Sequence, residues 1–304
     1  MMRTVRTAAD LRREVGTWRA RGETIGFVPT MGALHAGHLS LVHLARERTS
    51  QDRRREAPEG AGPQEQTEPA GKIVASVFVN PTQFGPGEDF NRYPRQPERD
   101  AEMLAGAGCD LLFLPEVETL YPPGHTTFVE PGGPAEGLEG ASRPGHFRGV
   151  ATVVSVLFHL VGADLAVFGE KDAQQLAVVR RMVRDLRLPV EIVGAPTLRE
   201  ADGLAMSSRN VYLNPEERRA ATVLYRALTA AAAAIAAGER RGEEIRRILW
   251  DFLHHEPLAR IDYAEVVDAL TFQPVMKLSG PVVLPLAVRI GATRLIDNFK
   301  LQAE

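Results

Sequence analysis

The chain is poor in cysteine and in long apolar runs, and its charges nearly balance. A single cysteine, Cys109, excludes an internal disulfide and a cysteine-based metal cluster. With 36 basic and 39 acidic residues the formal charge is −3, which argues against a general nucleic-acid binder. The most apolar stretch, residues 150–168, is interrupted by His159, Gly162 and Asp164. It predicts a buried helix and a strand, because a membrane span needs about 20 predominantly apolar residues. The first 15 residues lack the apolar segment of a signal peptide, so we expect a soluble, cytoplasmic protein.

Short apolar runs alternate with helical patterns through the first two thirds of the chain. Alternation of this kind indicates βαβ units and a parallel sheet covered by helices on both faces. The predicted strands are residues 24–29, 72–80, 109–114, 164–168 and 190–193. The predicted helices are residues 39–48, 97–106, 150–160 and 173–186. The sequence therefore predicts an α/β fold with a Rossmann-like, doubly wound parallel sheet.

The pattern changes after Val193. Asn214 and Pro215, followed by two glutamates, are typical of a helix start, and an alanine-rich segment continues to Ala237. A second helix is predicted at residues 243–254, and strands at residues 261–267 and 282–290. We predict two domains, with the nucleotide- and substrate-binding domain at residues 1–197 and a smaller C-terminal α+β lid domain at residues 198–304.

Residues 50–71 (SQDRRREAPEGAGPQEQTEPAG) differ from the rest of the first domain. They are rich in Pro, Gly, Glu and Gln and contain almost no apolar side chain larger than alanine. Such a segment cannot offset its ordering entropy by burial, so we predict a disordered surface insertion that leaves the chemistry intact.

The densest cluster of polar and glycine residues is 29–38 (PTMGALHAGH), between a predicted strand and a predicted helix. An open parallel sheet binds its ligands at this position. Gly32 permits a tight turn, and Gly37 lets a flat ligand approach the backbone. His35 and His38 share one face of a first helical turn, whose amides favour anions. The cluster suits the stabilisation of a phosphate under nucleophilic attack, with a helix cap or a partial metal site as the alternatives.

Two further clusters have residues that suit a nucleotide. Residues 168–172 (FGEKD) follow another predicted strand, where Lys171 could reach phosphates and Asp172 could orient a hydroxyl or a metal-bound water. Residues 206–209 (MSSR) offer two hydroxyls and a guanidinium to a triphosphate tail. Either cluster alone is also typical of an ordinary polar loop.

Taken together, these segments resemble one family. The matching segments are residues 29–38 (PTMGALHAGH), 77–84 (VFVNPTQF), 169–175 (GEKDAQQ) and 202–210 (DGLAMSSRN). The sequence resembles the pantothenate synthetase (pantoate–β-alanine ligase) family, within the superfamily of HIGH-motif nucleotidyltransferases. The resemblance covers nearly the whole chain except residues 50–71.

The resemblance implies a two-step reaction with ATP as a substrate and Mg²⁺ as the metal. The carboxylate of (R)-pantoate attacks the α-phosphate of ATP, which gives pantoyl adenylate and pyrophosphate. The amine of β-alanine then attacks the acyl carbon and releases pantothenate and AMP. The resemblance also implies a homodimer with small-molecule substrates, and no nucleic-acid or membrane partner.

The resemblance also implies the site residues. His38, His35 and Lys171 would be catalytic, with His38 as the proton donor, and Gln83 and Gln175 would bind the acid substrates through neutral amides. The implied ATP-binding residues are Met31, Gly32, Ala33, Leu34, His35, Ala36, Gly37, His38, Gly169, Glu170, Lys171, Asp172, Leu198, Met206, Ser207, Ser208 and Arg209. Leu198 would act through its backbone, at a position where valine is common in the family. No residue is assigned as a metal ligand; Asp100 is either an aid to Mg²⁺ binding or an acid on an exposed helix.

Three other functions are compatible with parts of the pattern. Another nucleotidyltransferase would join a nucleotide to a phosphorylated small molecule, but the neutral Gln83 suits a non-phosphorylated acid. An aminoacyl-tRNA synthetase is disfavoured by the charge balance and by the lack of an evident tRNA-binding domain. A non-catalytic nucleotide-binding regulator is disfavoured by the presence of His38, Lys171 and Arg209.

Overall fold

The computed structural model describes residues 2–56 and 71–303. Contacts between Cα atoms divide the chain into two compact units. The first unit comprises Met1–Glu130, Gly145–Gly169 and Met182–Ala195, and the second comprises Pro131–Pro144, Glu170–Arg181 and Pro196–Glu304. None of the helices in the described ranges combines the length and apolarity needed to cross a bilayer.

A six-stranded parallel sheet forms the centre of the first unit as far as it is described. Its strands are β1 (Arg3–Val5), β2 (Ile25–Thr30), β3 (Lys72–Val77), β4 (Leu111–Phe113), β5 (Leu165–Gly169) and β6 (Glu191–Ala195). The strand order is β1-β4-β3-β2-β5-β6. β2 to β5 are buried along most of their length, as expected for strands covered on both faces. The predicted Rossmann-like α/β fold is confirmed.

The strand order reverses between β2 and β5. From β2 the chain continues to β3 on one side, whereas β5 pairs with the other side of β2. A crevice at the carboxyl ends of the strands is the usual ligand site at such a reversal. The ends in question are Thr30 of β2 and Gly169 of β5.

The first helix of this unit has a side-chain cap and an apolar face. The Thr7 hydroxyl accepts the Asp10 amide hydrogen at 3.1 Å and starts the first helix, which buries Leu11 and Val15. The described helices in this unit are α1 (Ala8–Arg19), α2 (Ala36–Glu56), α3 (Pro97–Gly106), α4 (Val117–Leu120) and α6 (His146–Val161). In the second unit they are α5 (Leu138–Ser142), α8 (Pro215–Ala220), α9 (Val223–Ala236) and α10 (Gly242–His254). α7 (Ala173–Asp185) begins in the second unit and ends in the first.

An antiparallel sheet and the helices α8, α9 and α10 form most of the second unit. The strands are β7 (Ala259–Ala264), β8 (Val267–Asp268), β9 (Gly280–Ile290) and β10 (Thr293–Ala303), and β9 pairs with each of the others. The core is built from α9, α10 and the sheet, with Leu228, Leu249 and Leu286 fully buried. The predicted C-terminal α+β architecture is confirmed.

Three local predictions differ from the structure. α2 continues to Glu56, so the predicted disorder is wrong for residues 50–56; residues 57–70 of the predicted insertion lie outside the described part of the chain. β1 and β10 were not predicted, because β1 is only three residues long and β10 carries the polar pair Asp297 and Asn298 at its centre. The strand predicted at residues 261–267 is divided between β7 and β8.

Candidate functional site

The turn between β2 and α2 has an unusual backbone. Gly32 has φ of 79° and Ala33 has φ of 51°, so two successive residues occupy the left-handed region. A Cβ on Gly32 would lie 2.8 Å from Asp100 Oδ2 and 3.0 Å from Val77 Cγ1. Glycine is therefore required at position 32 both for its backbone angle and for its lack of a side chain. The turn starts with the Thr30 hydroxyl, which donates to the Ser76 carbonyl at 2.8 Å and accepts the Gly32 amide hydrogen at 3.2 Å.

Asp100 closes this turn from the first turn of α3. Its Oδ2 accepts the Ala33 amide hydrogen at 2.9 Å, and its Oδ1 accepts the Leu34 amide hydrogen at 2.8 Å. The side chain is 1% exposed, so the interpretation of Asp100 as an acid on an exposed helix is wrong. No local sequence pattern indicates this contact, which joins positions 67 residues apart.

The two histidines of the motif lie against each other at the start of α2. Their ring centroids are 4.1 Å apart, with the planes inclined by 48°. His35 Nδ1 accepts the Gly37 amide hydrogen at 3.1 Å, and His38 Nδ1 accepts the His35 amide hydrogen at 3.3 Å. Because each Nδ1 is an acceptor, the neutral form of each ring carries its hydrogen on Nε2. In that form each Nε2 is a hydrogen-bond donor.

Gln83 lies in a buried polar cluster that follows β3. Its Nε2 contacts Met31 Sδ at 3.1 Å, and its Oε1 accepts a hydrogen bond from Asn80 Nδ2 at 3.1 Å. Asn80 also caps the short 3-10 helix Pro81–Gln83 and accepts the Tyr121 hydroxyl hydrogen at 2.9 Å. Burial raises the pKa of Tyr121 above its ordinary value. The structure thus brings Met31 and Gln83 together, with Asn80 and Tyr121 as partners that sequence reasoning missed.

In the second unit, the residues after β5 form a 3-10 turn, Glu170–Asp172, that leads into α7. Asn298 of β10 holds this turn, because its Nδ2 donates to the carbonyls of Glu170 and Lys171 at 2.9 and 2.8 Å. Lys171 Nζ lies 4.0 Å from Asp172 Oδ1, and the lysine side chain is 19% exposed. The ammonium is therefore partly shielded from water but not buried.

Two adjacent glutamines begin α7. Gln174 is buried and has four backbone partners: it accepts from the Glu139 amide at 3.0 Å and donates to the carbonyls of Pro134, Glu136 and Gly137 at 2.9 to 3.3 Å. Gln175, the predicted substrate ligand, is half-buried and makes no hydrogen bond through its side chain to the residues that the structure describes. The Gln174 amide therefore has a structural role, whereas the Gln175 amide has no hydrogen-bonding role within the described structure.

The loop with the third cluster is a short hairpin in the second unit. The Met206 amide donates to the Leu198 carbonyl at 3.0 Å, and Arg199 pairs with Ala205 in an antiparallel bridge. The predicted residues Leu198 and Met206 are thus direct neighbours. The Ser207 hydroxyl accepts the Arg209 amide hydrogen at 3.2 Å and caps the 3-10 helix Ser208–Tyr212.

A buried ion pair supports this hairpin. Arg199 donates to both carboxylate oxygens of Asp297 at 2.7 and 2.9 Å and to the Gly203 carbonyl at 3.0 Å. Its guanidinium also lies 5.0 Å from the ring centroids of Tyr225 and Phe299. Bidentate pairing and the two aromatic contacts stabilise the position of Arg199 and thereby support the hairpin.

The six-stranded parallel sheet, with a glycine-histidine turn at the end of the strand beside the order reversal, defines an α/β protein of the Rossmann-like class. Comparison with known sequences gives the family. The model of the family described as pantoate-beta-alanine ligase matches residues 3–52 and 64–300. The chain belongs to this family and is a ligase, as predicted. The unmatched residues 53–63 fall within the predicted insertion.

Individual relatives are similar over their full length. The pantothenate synthetase of Moorella thermoacetica is 51% identical over 301 residues, which cover 99% of each chain. That of Herpetosiphon aurantiacus is 52% identical over 299 residues, covering 98% of this chain and 99% of the relative. The crystal structure of pantothenate synthetase from Thermus thermophilus has a TM-score of 0.85 at 51% identity, covering 98% and 99% of the two chains. The pantoate-beta-alanine ligase of Francisella tularensis, solved in complex with beta-gamma ATP and beta-alanine, has a TM-score of 0.73 at 31% identity, covering 98% and 97%.

Proposed function

We propose that this protein condenses pantoate with β-alanine at the expense of ATP, through a pantoyl-adenylate intermediate. Membership of the pantoate-beta-alanine ligase family supports this reaction, and the Francisella relative was solved with an ATP derivative and β-alanine. In the first step a pantoate carboxylate oxygen attacks the α-phosphorus of ATP, and the bond to the bridging oxygen of pyrophosphate breaks. In the second step the β-alanine nitrogen attacks the acyl carbon, loses a proton and expels AMP.

The observation that carries the proposal is the histidine pair at the carboxyl end of β2. Both rings accept a backbone amide hydrogen at Nδ1, so the neutral form of each carries its hydrogen on Nε2. Negative charge on the α-phosphate oxygens increases as the fifth ligand approaches phosphorus, and fixed donors stabilise it without reorganising. His35 and His38 then act as neutral hydrogen-bond donors. The adenylation step needs no proton transfer, because the nucleophile is a carboxylate and the leaving group is pyrophosphate. We therefore propose that His38 donates a hydrogen bond in place of the proton that the family resemblance implies.

Gln83 supports an acid substrate that is not phosphorylated. Its Oε1 accepts from Asn80 and its Nε2 contacts Met31 Sδ, so the side chain is held in place and carries no charge. A neutral donor can hold a hydroxyl or a carboxylate oxygen of pantoate without neutralising the carboxylate, which must stay nucleophilic. We assign the same role to Gln175.

The remaining contacts to ATP are proposed from the family resemblance and from residue chemistry. The Lys171 ammonium would neutralise charge on the α-phosphate, and Arg209 with Ser207 and Ser208 would hold the outer phosphates. The other ATP contacts would come from residues 31–38, residues 169–172, Leu198 and Met206. Mg²⁺ would enter with ATP, since this ion is usually held by substrate phosphates with one or two carboxylates. The half-exposed carboxylate of Asp172 has the oxygen donors that Mg²⁺ prefers. We also propose a cytoplasmic homodimer, on the resemblance alone.

A product assay tests the proposal. The purified protein is incubated with Mg-ATP, pantoate and β-alanine, and AMP and pantothenate are measured, with one acid omitted in each control. We expect equimolar AMP and pantothenate only when both acids are present. Pantoate alone should support exchange of labelled pyrophosphate into ATP, because adenylation is reversible. Exchange that requires a phosphorylated acceptor in place of pantoate would favour another nucleotidyltransferase.

A further inference from the structure

We propose that Asp100 is a positioning residue for the phosphate-binding turn: its carboxylate holds the Ala33 and Leu34 amides and thereby sets the position of the histidine pair. This inference rests on the proposed function, because it assigns a role in adenylation. Asp100 is almost fully buried, and it lies in α3, a different element from the turn that it holds.

The backbone of the turn is shaped to surround an anion. Successive amides in a turn can converge on one point and form a concave anion site. Gly32 and Ala33 both have positive φ angles, and the amides of Ala33 and Leu34 converge on Asp100. The anion in this site is the protein's own carboxylate. These two amides are therefore committed to holding the turn, and the histidines that follow supply its hydrogen bonds to phosphate.

The chemistry of the contact requires a carboxylate. Two amide donors need two acceptor oxygens, and aspartate supplies one to each at 2.8 to 2.9 Å. Asparagine would supply one oxygen and one amino group, whose hydrogens would oppose a backbone hydrogen. Ala33 also has a Cβ at a positive φ, which is unfavourable without a compensating contact. Without Asp100 we expect the turn to leave this conformation.

The effect passes to the histidines through the backbone. His35 follows Leu34 directly, and its amide donates to His38 Nδ1. A shift of the Leu34 peptide therefore moves the donor that orients the His38 ring. The Gly37 amide orients His35 in the same way. Asp100 acts through these residues and does not itself contact the reacting atoms.

The experiment compares Asp100→Asn with Glu98→Gln, a matched control. Glu98 is an exposed acid in the same first turn of α3, so its replacement removes the same charge from the same helix end. We expect Asp100→Asn to lower the rate of pantoate-dependent pyrophosphate exchange about tenfold to a hundredfold, as for loss of hydrogen bonds to a charged group, and Glu98→Gln to leave it within about twofold. The Mg²⁺ concentration that gives half the maximal rate should stay the same. A tenfold rise in that concentration would show that Asp100 binds the metal and would overturn the proposal.

Amide hydrogen exchange resolved to single residues tests the contact independently of catalysis. In the unmodified protein the Ala33 and Leu34 amides should exchange at least a hundredfold more slowly than in an unstructured peptide. Rapid exchange there would overturn the proposal even if Asp100→Asn failed to fold. In Asp100→Asn their exchange should accelerate more than that of the β2 and β3 amides. If the unmodified protein shows slow exchange but makes no pantothenate, the proposed function fails and the Asp100 contact stands as a structural clamp.

Discussion

Gln174 and Gln175 are neighbours in α7 with opposite environments. The Gln174 amide is buried and bonded to four backbone groups of residues 134–139, whereas Gln175 is half-buried and makes no side-chain hydrogen bond within the described residues. One amide ties a loop to the helix, and the other is available to a ligand. The motif GEKDAQQ therefore combines a structural glutamine with the glutamine for which we propose a role in substrate binding.

This contrast predicts separate effects for the two alanine variants. Gln174→Ala should lower the free energy of unfolding by about 2–4 kcal/mol, because it leaves buried backbone groups without partners. Gln175→Ala should change that free energy by less than about 0.5 kcal/mol, but should raise the KM for pantoate at least about tenfold, as for a lost hydrogen bond to a charged group. Urea unfolding measures the free energy of unfolding of each variant, and steady-state kinetics measure its KM for pantoate. Similar losses of stability in the two variants would contradict the assignment.

Replacement of His38 tests how the histidine pair acts. His38→Ala should slow adenylate formation about 10² to 10⁴-fold in a single turnover, since a fixed donor to the phosphate is lost. If a neutral donor is sufficient, His38→Gln should recover at least part of that loss. A near-normal rate in His38→Ala would refute the role of His38. Equal rates in the alanine and glutamine variants would show that the imidazole does more than donate a hydrogen bond.

Lys171 is expected to act mainly on the first step. Lys171→Ala should impair pyrophosphate exchange far more than the reaction of β-alanine with preformed pantoyl adenylate, because the charge on the α-phosphate is greatest during adenylation. Lys300→Ala is a suitable control, since Lys300 Nζ lies 3.9 Å from Glu170 in the same unit and is half exposed. Equal losses in both steps of Lys171→Ala would contradict the role proposed for the lysine.

A buried ionic cluster predicts how stability depends on pH. Glu139 accepts hydrogen bonds from Arg294 at 2.6 and 3.0 Å and from the Tyr263 hydroxyl at 2.8 Å. Burial alone would raise the pKa of Glu139, but the hydrogen bonds and charge of Arg294 outweigh it and lower the pKa below its ordinary value of 4.5. The contribution of this carboxylate to the free energy of unfolding is complete above about pH 4.5. It is lost as the pH falls through the lower pKa that Glu139 has in the folded state.

Glu139→Gln measures that contribution. At pH 7 the variant should be less stable by about 3 kcal/mol, and the difference from the unmodified protein should shrink as the pH is lowered from 5 to 3. Trp250 reports on the second unit once Trp18, the other of the two tryptophans, is replaced by phenylalanine. A difference that stays constant across this range would show that Glu139 has the same pKa in the folded and unfolded states.

Local patterns predicted the elements that are stabilised locally. Residues 24–29 contain a continuous apolar run, and the glycines and histidines after it correctly indicated a turn into a helix at the end of β2. β1 was missed because three residues give no periodic signal, and its place in the sheet depends on pairing with β4. The boundary near residue 197 between the two predicted domains stays a prediction.

Contacts between distant residues could not be predicted in the same way. Asp100 follows two exposed residues of α3 and has the composition of a solvated helix start, yet it is buried because the turn at residues 32–34 surrounds it. Gln174 looks equivalent to Gln175 in sequence, and only the approach of residues 134–139 distinguishes them. In both cases the side chain's role is set by a backbone segment far away in the chain.

The most direct test of the central claim follows the oxygen atoms of pantoate. Pantoate labelled with ¹⁸O in its carboxylate is incubated with Mg-ATP, β-alanine and the protein, and AMP is analysed by mass spectrometry. If a carboxylate oxygen attacks the α-phosphorus and the amine then displaces AMP, each turnover should transfer one ¹⁸O to AMP. Unlabelled AMP, or label in inorganic phosphate, would contradict adenylate formation.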